Sequence, residues 1–225
     1  MKERMVRCLL AGMLCVAMAL SVTACKSDKV EEKKETEVKQ EETKRPEVDL
    51  DEVAKTIMMG TTSYSHGGII KPDKYPCWEM IAVNRETGEQ SDMVLFDDCV
   101  YIDGDKEMTA FFSSDEESPD ANTSDTHDLM YVYTVPCDAT INIELICRVL
   151  SEESDGVAIS CYRNDTTDYL IEKTIVEPSE EMSSPGAYSV EVKKGDKLYC
   201  VYNPNVTAEN DEGQFYVKLV YVDVK

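Results

Sequence analysis

From about Trp78 onward the chain alternates apolar and polar residues with a period of two, the signature of a strand with one buried face. In Thr140 to Cys147, Ile141, Ile143, Leu145 and Cys147 share one face, while Asn142 and Glu144 share the other. Val157, Ile159 and Cys161 point together within Gly156 to Tyr162, and Tyr188, Val190 and Val192 do so within Ala187 to Lys193. In Lys197 to Asn203, Leu198, Cys200 and Tyr202 alternate with Tyr199 and Val201. Phe215, Val217, Leu219 and Tyr221 oppose Tyr216, Lys218, Val220 and Val222 within Phe215 to Val224, and Leu129 to Val135 is a further aromatic strand. Turn chemistry separates these runs at Asp103-Gly104-Asp105, Ser154-Asp155-Gly156 and Lys193-Lys194-Gly195-Asp196. About ten short strands so joined predict an all-β domain, an antiparallel β-sandwich or jelly roll. One short helix is expected over Asp49 to Met58, with Asp49 as its cap.

The first residues follow a different pattern. Lys2, Arg4 and Arg7 precede an apolar run from Leu9 to Val22, interrupted by Gly12 and Ser21. About 14 such residues are too few to span about 30 Å of hydrocarbon but suit the core of a signal peptide. The run ends in Val22-Thr23-Ala24-Cys25, which resembles the lipobox of bacterial lipoproteins. That resemblance implies diacylglyceryl transfer to Cys25, cleavage before it and acylation of the new amino terminus. Two or three acyl chains anchor stably where one is marginal. The expected location is the extracytoplasmic face of the cell membrane. Lys26 to Pro46 is mostly Glu, Lys and Thr, and it buries too little apolar surface to offset its ordering entropy. The expected organisation is a signal peptide over 1–24, a charged flexible tether over 25–48 and a β-sandwich over 49–225.

Charge narrows the partners. The chain of 225 residues carries a net −22. The leader holds +2 and the tether −1, so the remainder holds −23. Such a domain repels nucleic-acid phosphates and anionic headgroups, which excludes nucleic acid as a partner and favours neutral, cationic or metal-mediated ones.

Three blocks resemble the β-sandwich modules attached to bacterial carbohydrate-active and other surface proteins. They are Tyr75-Pro76-Cys77-Trp78, then Tyr131 to Ala139 running on through Thr140-Ile141-Asn142-Ile143 to Asp155-Gly156-Val157-Ala158-Ile159, and Val190 to Tyr199. The similarity covers roughly 60–225 and implies a carbohydrate-binding-module-like jelly roll. Asp138-Ala139 stands where that family usually has Asp-Gly.

No catalytic constellation emerges, and an enzyme is not expected. His66 lies in the polar stretch Ser63 to Gly68, read as a loop, and His127 in Ser124 to Asp128; neither belongs to a metal motif or a nucleophile elbow. The 36 acids of the domain make chance carboxylate pairs inevitable, so pairs carry no weight. Beyond Cys25, six cysteines remain: Cys77, Cys99, Cys137, Cys147, Cys161 and Cys200. Three of them fall on apolar strand faces, where a free thiol packs as a small hydrophobe. Mostly buried free thiols are expected, with disulfides in any of fifteen pairings as the alternative.

A structural calcium has candidate oxygen ligands in Asn203, Asn205, Glu209 and Asp211, and a second acidic group in Asp115, Glu116, Glu117 and Asp120. For a glycan, exposed rings stack on sugar C–H faces and polar groups bond the hydroxyls. The candidates are Trp78, Tyr64, Tyr75 and Tyr162, with Arg163, Asn164 and Asn84. Trp78 shares a strand face with Met80 and Ala82, so a core role stands beside the surface one. The expected function is a lipid-anchored, non-catalytic binding module for a glycan or cell-envelope polymer. The alternative is a structural lipoprotein that binds another envelope protein, through exposed edge strands.

Overall fold

The computed structural model describes residues 47–58, 63–66, 75–96, 99–102, 110–113 and 120–225. Residues 1–46, with the expected leader, Cys25 and most of the expected tether, lie outside the described residues, as do Asp103-Gly104-Asp105 and Asp115 to Glu117. No helix among the described residues is long and apolar enough to cross a membrane.

Helix α1 spans Leu50–Met58. Asp49 caps it as expected: its Oδ1 accepts the amides of Asp51 at 3.0 Å and Glu52 at 3.3 Å. Leu50, Val53, Ala54 and Ile57 follow helical spacing and pack on the core. Thirteen strands follow among the described residues: β1 (Ser63–His66), β2 (Trp78–Asn84), β3 (Gln90–Phe96), β4 (Cys99–Ile102), β5 (Phe111–Ser113), β6 (Asp120–Asn122), β7 (His127–Thr134), β8 (Ala139–Val149), β9 (Val157–Arg163), β10 (Tyr169–Val176), β11 (Ala187–Val192), β12 (Lys197–Pro204) and β13 (Gly213–Val224).

They form an antiparallel β-sandwich. One sheet runs β10-β9-β12-β7-β2 and takes the first half of β3; the other runs from the second half of β3 through β4, β5, β6, β13 and β8 to β11. Strand β3 belongs to both sheets, pairing with β2 over Gln90 to Asp92 and with β4 from Met93. Strand β1 lies along β13, with Ser63 to His66 opposite Val220 to Val217. The stretch read as a polar loop around His66 is therefore a strand; four polar or aromatic residues carry no alternation, and the partner strand alone organises them.

The predicted inward faces form the core except on β11, where Val192 is buried but Val190 is half-buried and Tyr188 is exposed, so the face expected over Ala187 to Lys193 is corrected to a largely outer one. Ile141, Ile143, Leu145 and Cys147 are fully buried, as are Leu198, Cys200 and Tyr202 on β12 and Phe215, Val217 and Leu219 on β13. Between the sheets Tyr131 stacks on Phe112, with ring centres 4.4 Å apart, and on Phe215 at 5.8 Å. The turn at Lys193 to Asp196 closes with an Asp196 amide to Lys193 carbonyl bond of 3.0 Å, and Gly195 supplies its positive φ of 88°. Ala139 opens β8 opposite Val192 and Val224 and has no positive φ, so no glycine is needed there. All six described cysteines are buried free thiols.

Candidate functional site

The first sheet carries apolar residues on both faces. With Leu198, Cys200 and Tyr202 turned inward, alternation turns Lys197, Tyr199, Val201 and Asn203 outward on β12. On β9 the outward residues are Ala158, Ser160 and Tyr162; on β7 they are Asp128, Met130 and Val132; on β2 they are Glu79, Ile81 and Val83. Ile81, Met130, Val132, Tyr162 and Val201 make a second apolar cluster apart from the core, with Val83 and Tyr199 packed against it.

Register aligns this face in rows. Tyr199 stands opposite Val132 on one side and Tyr162 on the other, and Tyr162 stands opposite Tyr169. Three neighbouring strands thus present three tyrosines side by side. The rings of Tyr162 and Tyr199 are stacked, 4.8 Å apart at 12°, and Tyr169 meets Tyr162 edge-on at 6.1 Å and 71°. Tyr162 is 8% exposed, Tyr199 half-buried and Tyr169 42% exposed. The Tyr162 hydroxyl reaches to the Met130 sulfur at 3.4 Å, so its ring lies across β12. Burial, then the neighbouring Tyr199, pushes its phenol well above the ordinary tyrosine range.

The next rows lead into a charged end. Asp128 on β7 lies opposite Val83 and is hydrogen-bonded to Asn203. Arg85 Nε stands 3.0 Å from Asp128 Oδ1 as an ion pair without hydrogen-bond alignment, and its guanidinium also donates to the Ser124 carbonyl. Burial raises the Asp128 carboxyl above the usual range, against the pull of Arg85, Asn203 and Lys173. Among the described residues, Asp128 Oδ1 and Asn203 Oδ1 are buried acceptors with no donor. Chemically the face offers aromatic π surface at one end and carboxylate, amide and guanidinium groups at the other.

Of the described glycan candidates, the structure brings only Tyr162 to this face, where Asn203 of the calcium candidates also lies. Trp78 is 2% exposed and packs against Tyr133 with ring centres 4.8 Å apart, so the surface role is corrected to a core one. The reason is register: Trp78 opposite Tyr133 shares the inward face of β2 and β7. Tyr75 is half-buried against the core, and its carbonyl accepts the Trp78 amide. Tyr64 lies in β1 opposite Leu219, and its side chain lies outside the described residues. Arg163 braces strands, with Nε 2.7 Å from Asp168 and Nη1 donating to the Glu191 carbonyl. Asn164 sits at φ 61° and bridges to β12, donating to Asp196 Oδ1 and accepting the Lys197 amide. Asn84 Oδ1 accepts the Glu86 and Thr87 amides in the β2–β3 turn. These three polar residues are committed to loop geometry. Tyr199 and Tyr169 were missed; the signal was apolar residues on both faces of Lys197 to Asn203.

Three of the four calcium candidates have separate partners. Asn203 bonds Asp128 on the outer face, and the Asn205 amide donates to the Asp155 carbonyl. Glu209 is exposed. Asp211 is fully buried and accepts Ser154 Oγ at 2.6 Å and Thr123 Oγ1 at 3.2 Å. The loop is closed by Asp155, which accepts the Val206 and Thr207 amides, and by Asp125, which accepts the Ala208 amide. No group of three or more His, Cys, Asp or Glu side chains placed to hold a metal occurs among the described residues. His127 Nδ1 lies 2.9 Å from Thr126 Oγ1.

No family model matches the chain, and no curated protein matches it. Solved structures do overlap it. A GH26-CBM35 β-(1,4)-mannanase of Podospora anserina is 9% identical over 71% of this chain and 28% of its own, with a TM-score of 0.34. A family 35 carbohydrate binding module from Clostridium thermocellum is 7% identical over 63% of this chain and 97% of its own, at 0.35. The CBM22-2 xylan-binding domain of Paenibacillus barcinonensis Xyn10C is 13% identical over 72% and 96%, at 0.30. This chain thus spans under a third of the mannanase but nearly all of the two isolated modules. Overlaps this loose identify no function.

Proposed function

We propose that the domain is a non-catalytic binding module for a glycan or cell-envelope polymer, held outside the cytoplasm by a lipid on Cys25. The observation that carries the binding reading is the row Tyr199–Tyr162–Tyr169, three rings in register on one sheet face. Sugar rings stack their C–H faces on such π surface, and the polar end supplies partners for hydroxyls. The net charge of −23 outside the leader and tether favours a neutral polymer over an anionic one.

The test is binding of soluble neutral polysaccharides to the folded domain, with Tyr199→Ala and Tyr169→Ala beside the parent. Each substitution is expected to weaken binding about tenfold, the equivalent of about 1.4 kcal/mol. A folded parent protein that binds nothing across a broad glycan array removes the reading. For the anchor, mass spectrometry of the native protein is expected to find diacylglyceryl on Cys25 at the mature amino terminus; an unmodified Cys25 removes it. A structural calcium in the loop of Asn203 to Asp211 is tested by melting with calcium and with chelator. A higher melting temperature with calcium supports it, and identical melts remove it.

A further inference from the structure

The six buried thiols are not equivalent. Cys161 on β9 and Cys200 on β12 stand directly opposite each other in the register of the two strands. Both side chains turn into the core, both are fully buried, and their sulfurs lie 3.7 Å apart. Opposed residues of an antiparallel pair have Cα atoms about 4.5–5.5 Å apart. A disulfide spans Cα separations of about 4.4–6.8 Å. The backbone therefore already stands where the bond needs it, and only the two Sγ atoms have to approach by rotation about their side-chain bonds. Cys147 is buried separately, on β8 opposite Phe215.

The same burial closes the pair to chemistry. Thiol–disulfide exchange needs a thiolate and a path for the attacking disulfide. Cys200 is held well above its ordinary range, by its hydrogen bond with Cys161 and by burial, so its thiol stays protonated. Neither sulfur is in contact with solvent. An oxidant reaches them only when β9 and β12 separate.

We infer that Cys161 and Cys200 are a latent cross-strand disulfide whose redox state is set while the chain folds and is then sealed by the core. The inference stands apart from the glycan reading. The oxidant is a small or protein-borne disulfide. One cysteine thiolate attacks it, forms a mixed disulfide and releases one thiol. The second thiolate then attacks the mixed disulfide, closing the Cys161–Cys200 bond and releasing the second thiol. Each cysteine gives up its proton, and the two electrons reduce the oxidant. The bond closes a loop between residues 39 positions apart in the chain, which restricts the unfolded chain far more than the folded one.

The experiment compares two treatments of the reduced full-length protein with glutathione disulfide. One sample is held folded; the other is unfolded in urea and refolded with the reagent present. Free thiols are then alkylated under denaturing conditions and the peptides mapped. Refolding is expected to yield a peptide joining Cys161 to Cys200, with the circular dichroism spectrum of the reduced protein and a melting temperature about 10 °C higher. The sample held folded is expected to keep both thiols alkylatable over hours. The inference is overturned if refolded protein still carries both as free thiols, or links them to other cysteines. Oxidation of the folded sample as fast as the unfolded one overturns it equally, because the core then seals nothing.

Discussion

Trp78 separates a core role from a surface one, because removing it should cost stability and spare binding. Its ring is 2% exposed, sits 4.8 Å from Tyr133 at 50° and meets Tyr131 edge-on at 6.5 Å. Through Tyr131 it joins the stack that reaches Phe112 and Phe215 on the facing sheet. Trp78→Ala therefore opens a void at the end of a chain of rings bridging both sheets. Truncating a buried large aromatic costs about 3–5 kcal/mol. For a domain of this size each kcal/mol moves the melting temperature by about 2–4 °C, so a fall of roughly 6–20 °C is expected. Trp78→Phe keeps one ring and should lose a smaller part of this. Urea unfolding followed by circular dichroism measures the loss, and titration of the folded variant with a polysaccharide that the parent binds measures the affinity. A Trp78→Phe protein that melts like the parent but no longer binds would refute the core assignment and return Trp78 to the binding surface.

Two further outcomes follow from packing and charge. A Cβ on Gly213 would stand 2.4 Å from the Arg148 carbonyl oxygen and 2.7 Å from the Tyr202 hydroxyl, so Gly213→Ala must push β13 off β8 or break the Tyr202 bond to the Asp211 carbonyl. A loss of about 2–4 kcal/mol is expected, partly relieved in Tyr202→Phe, and a melt unchanged within error contradicts it. Asp211 has its carboxyl raised by burial, so the folded state takes up a proton more readily than the unfolded chain. Its contribution is thus greatest below the ordinary Asp value and is lost as pH rises through the higher folded one. The stability of the parent relative to Asp211→Asn should improve as pH falls from neutral toward the ordinary Asp range; a flat or opposite difference rules this out.

The strands most legible in the chain were those with one strictly apolar face. β8 alternates strictly, β9, β12 and β13 keep one wholly apolar face beside a mixed one, and the inward residues of all four are the core. β10 escaped because register shifts between Tyr169 and Ile171, and again between Ile171 and Thr174, break its period. β1 escaped because Ser63 to His66 contains no apolar alternation at all. Candidate site residues fared worse for a related reason. Arg163, Asn164 and Asn84 have side chains suited to a ligand, but the same hydrogen-bonding capacity holds turns together, and composition does not separate the two uses. Tyr199 was visible as an aromatic residue on the face that alternation assigns to solvent. What could not be read was that β9, β12 and β10 lie side by side, since their order in the sheet is not their order in the chain.

Asp138 has a mechanical consequence. Its Oδ1 accepts the Lys194 amide and its carbonyl accepts the Lys225 amide, while Lys194 Nζ reaches back 2.7 Å to Asp51 on the helix that opens the domain. The polypeptide enters and leaves the sandwich at one corner. A pull between the entering segment and Lys225 would act across that corner, at the mouths of β8, β11 and β13. A passenger fused after Lys225 would sit beside the helix that opens the domain rather than across the domain from it.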